Sequence, residues 1–136
     1  MYVVDASVAL KWLVEEEDSD KALRLCDDAL CGRVEIAAPD ILFYETANIL
    51  IRKMKLNVWR TQELVCRLLD TNVAVSPPDP DLLMQAVEIA GRTGASVYDA
   101  AYVALARDLH ATLVTADRGQ ARTAEEFAQA RLLESL

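Results

Sequence analysis

Two aspartates of this chain follow strand-like segments directly. Asp5 comes after the apolar residues Tyr2–Val4, and Asp117 lies two residues beyond Thr115, the last residue of the segment ATLVT. Parallel strands end at the same edge of a sheet, so the two carboxylates should meet if their strands are neighbours. Such a pair could form part of a metal site. The alternative is turn chemistry, because Asp and Ser also favour strand ends and helix caps.

A third acid, Asp99, lies on a predicted helix with the sequence SVYDAAYVALA. Its neighbours on the same helix face are Tyr102, Val103 and Ala106, three, four and seven residues further on. A carboxylate on this face should be buried or half-buried, where an unpaired charge costs several kcal/mol or is neutralised. The alternative is a capping box of Ser96 with Asp99, which explains the acid equally well.

A fourth acid, Glu45, lies on the predicted helix PDILFYETANILIRKMK. Asn48 and Arg52 extend a narrow polar strip from Glu45 along an otherwise apolar helix. Considered by itself, a solvated strip explains Glu45 better than a site does. Asp40, at the start of the same helix, is interpreted as an N-cap and is left out of the site.

The combination of these acids indicates a metal site. Helix N-termini face the same sheet edge as the carboxyl ends of the strands, so Asp5, Glu45, Asp99 and Asp117 could enter one crevice. Four carboxylates in one crevice repel one another, and one or two divalent cations would compensate their charge. His110 is the only histidine, which excludes a multi-histidine zinc or iron site. Carboxylate ligands favour Mg²⁺ or Mn²⁺.

Short apolar segments alternate with longer helical patterns, which predicts an α/β fold in one domain, residues 1–136. The expected architecture is a three-layer α/β/α arrangement around a parallel sheet of about 4–5 strands. The predicted strands are Tyr2–Val4, Val34–Ala37, Val73–Val75, Ala111–Thr115 and Arg131–Leu133. The predicted helices are Val8–Val14, Ser19–Leu30, Asp40–Lys55, Thr61–Leu69, Asp79–Arg92, Ser96–Arg107 and Ala124–Ala128. A capping box of Thr123 with Glu126 is predicted to begin the last helix.

Composition limits the classes of function. The net charge of −8 argues against nucleic-acid binding through a broad basic surface, although bound cations could reverse the sign locally. There is no apolar run long enough for a membrane span and no basic leader, so a cytoplasmic protein is expected. The three cysteines, Cys26, Cys31 and Cys66, show no CxxC spacing and are expected to be reduced and mostly buried.

Four stretches together resemble one protein family. VVDASVALKW, FYETANIL, VYDAAYVALA and LVTADRG, in this order and spacing, are similar to the PIN-domain ribonucleases, and among them to the VapC-type toxins of toxin–antitoxin pairs. The resemblance covers nearly the whole chain. After Asp117 the sequence reads RGQART, without the further acid or aromatic residue that often follows in similar sequences.

The resemblance implies a Mg²⁺- or Mn²⁺-dependent endoribonuclease that hydrolyses single-stranded RNA, forms a homodimer and is held inactive by a cognate antitoxin. It implies catalytic and metal-ligating roles for Asp5, Glu45, Asp99 and Asp117, with Ser7 and Thr115 as supporting hydroxyls. The basic and amide side chains that follow these acids are candidates for substrate contacts: Asn48, Arg52, Lys53, Lys55, Arg118 and Arg122. For the basic residues a solvated helix end is the alternative.

Three other functions remain open at this point. The main alternative is a catalytically inactive PIN-like module that binds RNA or a protein, although the complete set of four acids argues against it. A phosphotransfer domain with an aspartate nucleophile would need a second nearby acid and a downstream lysine, which this chain lacks. A structural protein with a buried Asp99 would need a basic partner that the sequence does not provide.

Overall fold

Five short strands and seven α-helices alternate along the chain, and the computed structural model describes all of residues 1–136. The strands are β1 (Tyr2–Val4), β2 (Ile36–Pro39), β3 (Val73–Ser76), β4 (Thr112–Thr115) and β5 (Gln129–Leu132). The α-helices are α1 (Ala6–Leu13), α2 (Ser19–Leu30), α3 (Ile41–Asn48), α4 (Val58–Leu69), α5 (Pro80–Thr93), α6 (Val97–Asp108) and α7 (Arg118–Ala124). A π-helical turn, Ile49–Lys53, continues α3, and a 3₁₀ turn, Leu133–Ser135, follows β5.

All strand pairs are parallel, and the order in the sheet is β3-β2-β1-β4-β5. The chain builds outward from β1 through β2 to β3, then returns to the other side of β1 to add β4 and β5. The order therefore reverses between β1 and β4, the place where ligands bind in open α/β sheets. Val3 pairs with Leu113 and Val4 with Val114, so the residues after both strands come out side by side.

Helices cover both faces of the sheet, which confirms the predicted three-layer α/β/α class. Helices α1–α4 pack with one another on one face and α5–α7 on the other. This is the grouping that right-handed crossovers produce when the direction of strand addition reverses after β3. The core of 32 buried apolar residues includes the central strands and half of the residues of α6. A rigid support thus lies beneath the strand ends.

The chain departs from the sequence prediction most clearly after β4. The last helix was predicted at Ala124–Ala128 but is found at Arg118–Ala124, where Asp117 is the N-cap. Thr123 lies inside this helix and its hydroxyl donates to Gly119 O over 3.1 Å, so the predicted capping box with Glu126 is wrong. The competing cap, Asp117, lies six residues before Thr123 and determines where the helix begins.

Two smaller corrections concern β2 and α3. Strand β2 begins two residues later than predicted, because Val34 N–H donates to Asp28 O at the end of α2 and cannot join the sheet. Asp40 precedes α3, but its side chain makes no capping hydrogen bond.

The cysteines are all free, as predicted, but mostly not buried. Cys26 is buried, whereas Cys31 and Cys66 are exposed, since one follows the end of α2 and the other lies on the solvent face of α4. No helix of the chain combines the length and the apolar character that crossing a membrane requires.

Candidate active site

A cleft of about 840 Å³ opens where β1 and β4 end. Asp5, Glu45, Asp99 and Asp117 all line it. They come from the ends of two neighbouring strands, from α3 and from the first turn of α6. The fold thus brings together four acids that are far apart in the sequence.

Asp5 is both the N-cap of α1 and a wall of the cleft. Its Oδ1 accepts hydrogen bonds from Ser7 N at 3.0 Å, from Val8 N at 3.2 Å and from the Ser7 hydroxyl. Its Oδ2 accepts from the Thr115 hydroxyl. The capping role therefore does not exclude a role in a site, because the same carboxylate also lines the cleft.

Asp117 has the same double position at the start of α7. Its Oδ1 accepts from Gly119 N and, at 3.2 Å, from Gln120 N, which leaves Oδ2 without a hydrogen bond. A Cβ on Gly119 would lie 3.0 Å from Oδ1, so this position favours glycine. Backbone N–H groups thus hold the Asp117 carboxylate through Oδ1, and Oδ2 is available to accept another ligand.

Two hydroxyl groups connect the ends of β1 and β4. Thr115 Oγ1 donates to Asp5 and accepts from Asp117 N at 2.9 Å. Ser7 Oγ donates to Asp5 and accepts from Ala116 N at 2.8 Å. Thr115 is fully buried, and Ser7 lines the cleft. Both hydroxyls fix the Asp5 carboxylate against the end of β4.

Glu45 and Asp99 face the cleft from helices. Glu45 is half-buried, and its Oε2 accepts a hydrogen bond from the Tyr102 hydroxyl, whereas Oε1 has no hydrogen-bond donor. Asp99 is exposed, against the sequence expectation, because the first turn of α6 extends past the buried part of that helix. Ser96 caps this turn by accepting from Asp99 N at 3.0 Å, but the Asp99 carboxylate accepts nothing from Ser96 N, so only half of the predicted capping box is formed.

The charges of the four carboxylates are not balanced by the protein. None of them forms an ion pair with a lysine or arginine. Burial raises the pKa of Asp5, against the opposing effect of its hydrogen bonds. Burial also raises the pKa of Glu45, to which the charges of Asp99 and Asp5 add. The pKa of Tyr102 is raised, chiefly by burial and then by the charge of Glu45.

The donor set fits a hard cation that keeps part of its water shell. In this arrangement no three Asp, Glu, His or Cys side chains are placed to hold one ion together. Glu45 Oε1, Asp117 Oδ2 and both oxygens of Asp99 have no hydrogen-bond donor. Mg²⁺ takes one or two carboxylates directly and several waters, so the available oxygens suit it.

The predicted substrate-contact residues separate into two groups. Asn48 and Lys53 line the cleft, whereas Arg52, Lys55, Arg118 and Arg122 do not. The Arg118 guanidinium donates to Glu134 over 2.8 Å on the protein surface.

Sequence reasoning did not assign roles to Tyr102 and Gln120. Tyr102 is 1% exposed and donates to Glu45, and Gln120 is buried and donates to Asp99 O over 2.8 Å. Tyr102 lies three residues after Asp99 and therefore on the same face of the helix, so its presence at the cleft could have been predicted from the spacing. Gln120 had no such indication in the sequence, because its hydrogen bond to Asp99 depends on how α7 packs against α6.

We expect Glu45→Gln to stabilise the metal-free protein at high pH. The raised pKa means that the folded state binds the Glu45 proton more tightly than the unfolded chain does, so folding loses stability as pH rises through that pKa. Glutamine removes this cost while keeping an oxygen for Tyr102. The gain in free energy of unfolding should be about 0.5–1 kcal/mol after solvent screening.

Urea unfolding with chelator measures this effect. The gain in free energy of unfolding should be larger at about pH 8 than at about pH 4.5. At the lower pH, which is close to the ordinary pKa of a glutamate, Glu45 of the folded protein is largely protonated and the charge cost is small. Glu17→Gln, an exposed acid outside the cleft, is the control and should change little at either pH. An equal gain in both variants, or none at high pH, would contradict the charge cost.

Comparison with known proteins gives a consistent family assignment. The PIN domain model matches residues 2–126. Ribonuclease VapC3 of Pyrobaculum aerophilum is 34% identical over 129 residues, which cover 92% of this chain and 93% of that protein. The structure of VapC20 of Mycobacterium tuberculosis, described as a sarcin-ricin loop cleaving toxin, aligns with a TM-score of 0.73 at 20% identity, covering 96% of this chain and 99% of VapC20. A toxin–antitoxin complex from Klebsiella pneumoniae aligns with a TM-score of 0.71 at 13% identity, covering 98% of each chain.

Proposed function

Because the chain belongs to the PIN-domain family, we propose that it is a Mg²⁺- or Mn²⁺-dependent endoribonuclease that hydrolyses single-stranded RNA. The observation that carries the proposal is the set of four carboxylates, without cationic partners, around one cleft at the reversal point of the sheet. The similarity to a ribonuclease over 92% of the chain supports the same activity.

One or two of Asp5, Asp99 and Asp117 would hold the catalytic cation directly and the others through its waters, with Glu45 beside it or at a second cation. A bound divalent cation supplies a water of lowered pKa and stabilises charge on the scissile phosphate. Thr115 and Ser7 keep the Asp5 carboxylate turned toward the cleft, so that no reorganisation is needed on binding.

The Tyr102 hydroxyl positions Glu45 in a similar way. It occupies Oε2, so Glu45 presents only Oε1 as a free acceptor in the cleft. The raised pKa of Glu45 increases its ability to accept a proton at that atom near neutral pH. Glu45 would then accept a proton in the cleft that Asp5 and Asp117 also line.

The proposed biological role is that of a cytoplasmic toxin in a toxin–antitoxin pair, acting as a homodimer. Its support is the similarity to a VapC ribonuclease, together with the toxin–antitoxin complex from Klebsiella pneumoniae, which has the same fold. The cognate antitoxin would be a small protein that keeps the cleft closed to RNA. An inactive RNA- or protein-binding module is the second candidate, and the complete set of acids disfavours it.

Incubation with labelled single-stranded and base-paired RNAs tests the proposal. We expect fragments from the single-stranded RNA with Mg²⁺ or Mn²⁺ and none with chelator. Cleavage that continues under chelation would refute the metal-dependent mechanism. RNA binding without cleavage under every metal condition would refute the enzyme and support the inactive module.

A further inference from the structure

The helix that carries Glu45 changes its winding before it ends. Ile41–Asn48 is α-helical, and Ile49–Lys53 forms a π-helical turn, at the end of which Met54 N donates to Ile49 O over 2.9 Å. That hydrogen bond spans five residues where an α-helix spans four, so the turn holds one extra residue. Single π turns inside α-helices are frequent at functional sites.

The extra residue changes which side chain reaches the cleft. In a continuous α-helix, Arg52 would share a face with Glu45, because seven residues make two turns. With one more residue in the path, Lys53 takes that place. In agreement with this shift, Lys53 lines the cleft and Arg52 does not.

Lys53 is also the cation of the cleft that has no partner. The charged side chains that line the cleft are Asp5, Glu16, Glu45, Asp99, Asp117, Lys11 and Lys53. Lys11 Nζ pairs with Glu16 Oε2 at 3.3 Å, and its side chain is only 11% exposed. Lys53 is exposed and forms no ion pair, although acids surround the cleft.

We propose that the π-helical turn presents Lys53 as the contact for a backbone phosphate of the RNA in the cleft, an inference that rests on the proposed function. Phosphate contacts fix the register of a nucleic acid without reading its sequence. An ammonium group on a long stem suits this task, because it can follow a flexible single strand. In a chain of net charge −8, an unpaired cation at the cleft is the local attraction that the overall charge lacks.

Steady-state cleavage of a labelled single-stranded RNA by Lys53→Met tests this contact. We expect KM to rise about 3- to 10-fold with kcat within about 2-fold, because the contact binds substrate without touching the reacting atoms. The slope of log(kcat/KM) against log[salt] should become shallower by about 0.7, the value for one phosphate contact on a single strand.

Arg52→Met is the matched control, since it removes the same charge from the adjacent residue outside the cleft and should leave KM unchanged. Lys53→Arg should restore most of the affinity. Equal effects of the two methionine variants, or a fall in kcat alone, would overturn the assignment.

If the unsubstituted protein does not cleave, the proposed function fails. Fluorescence anisotropy with the same RNA and Ca²⁺ then tests the Lys53 contact separately, and equal affinities of the two methionine variants would overturn it.

Discussion

Asp5→Asn should lower kcat/KM for RNA cleavage by about 10³-fold while the protein stays folded. Asparagine keeps an Oδ1 that can accept from Ser7 N and Val8 N, so the start of α1 is preserved. The substitution removes the negative charge and replaces Oδ2, the oxygen that Thr115 holds, with an amide. The loss therefore falls on metal binding and not on the helix cap.

Initial rates on a fluorescent single-stranded RNA measure the loss of kcat/KM. Urea unfolding of the same samples shows whether the variant is still folded. Asp70→Asn, an exposed acid at the end of α4 and away from the cleft, is the control and should retain full activity. Activity of the Asp5 variant within about 3-fold of the unsubstituted protein would refute the role of Asp5. Unfolding of the variant would refute the argument about the cap.

Leu113→Ala should cost about 3 kcal/mol of stability. Leu113 is fully buried in the second residue of β4, where it pairs with Val3 on one side and Ala130 on the other. The truncated side chain leaves a cavity beneath the strand end that carries Thr115, and the central strands have little freedom to close it.

Leu30→Ala is the matched substitution on the surface, because Leu30 is 58% exposed at the end of α2. Its cost should stay below about 1 kcal/mol. Free energies of unfolding from urea titrations at one pH and salt concentration allow the comparison. Equal costs for the two leucines would mean that β4 is not part of the rigid support of the site.

Most of the fold could be predicted from the sequence because its local signals agree with its tertiary structure. Ser19–Leu30 was predicted with the observed bounds, and Pro80 after the capping residue Asp79 correctly indicated the start of α5. The last helix was misplaced because the sequence offers two caps, and Asp117 had been considered only as a site residue. Because Asp117 was assigned to the cleft, its second role as the N-cap of α7 was overlooked.

The site was predictable where it depends on strand ends and less so where it depends on helix winding. Because Asp5 and Asp117 follow neighbouring strands, topology alone brings them to the same cleft. Arg52 and Lys53 were both candidates for substrate contacts, and α-helical spacing put Arg52 on the face of Glu45. The π turn that brings Lys53 to the cleft instead has no local signature in the sequence. The hydrogen bond between Tyr102 and Glu45 could not be predicted either, because it depends on how α6 packs in the folded protein.

The use of one carboxylate both to begin a helix and to face the cleft restricts how this protein can evolve. Loss of Asp5 to alanine would remove a cap worth about 1 kcal/mol together with the proposed metal ligand. A descendant that gave up hydrolysis but kept the fold should therefore carry asparagine or serine at this position, and the same holds at Asp117. Among relatives, asparagine at both strand ends would mark lineages that now only bind.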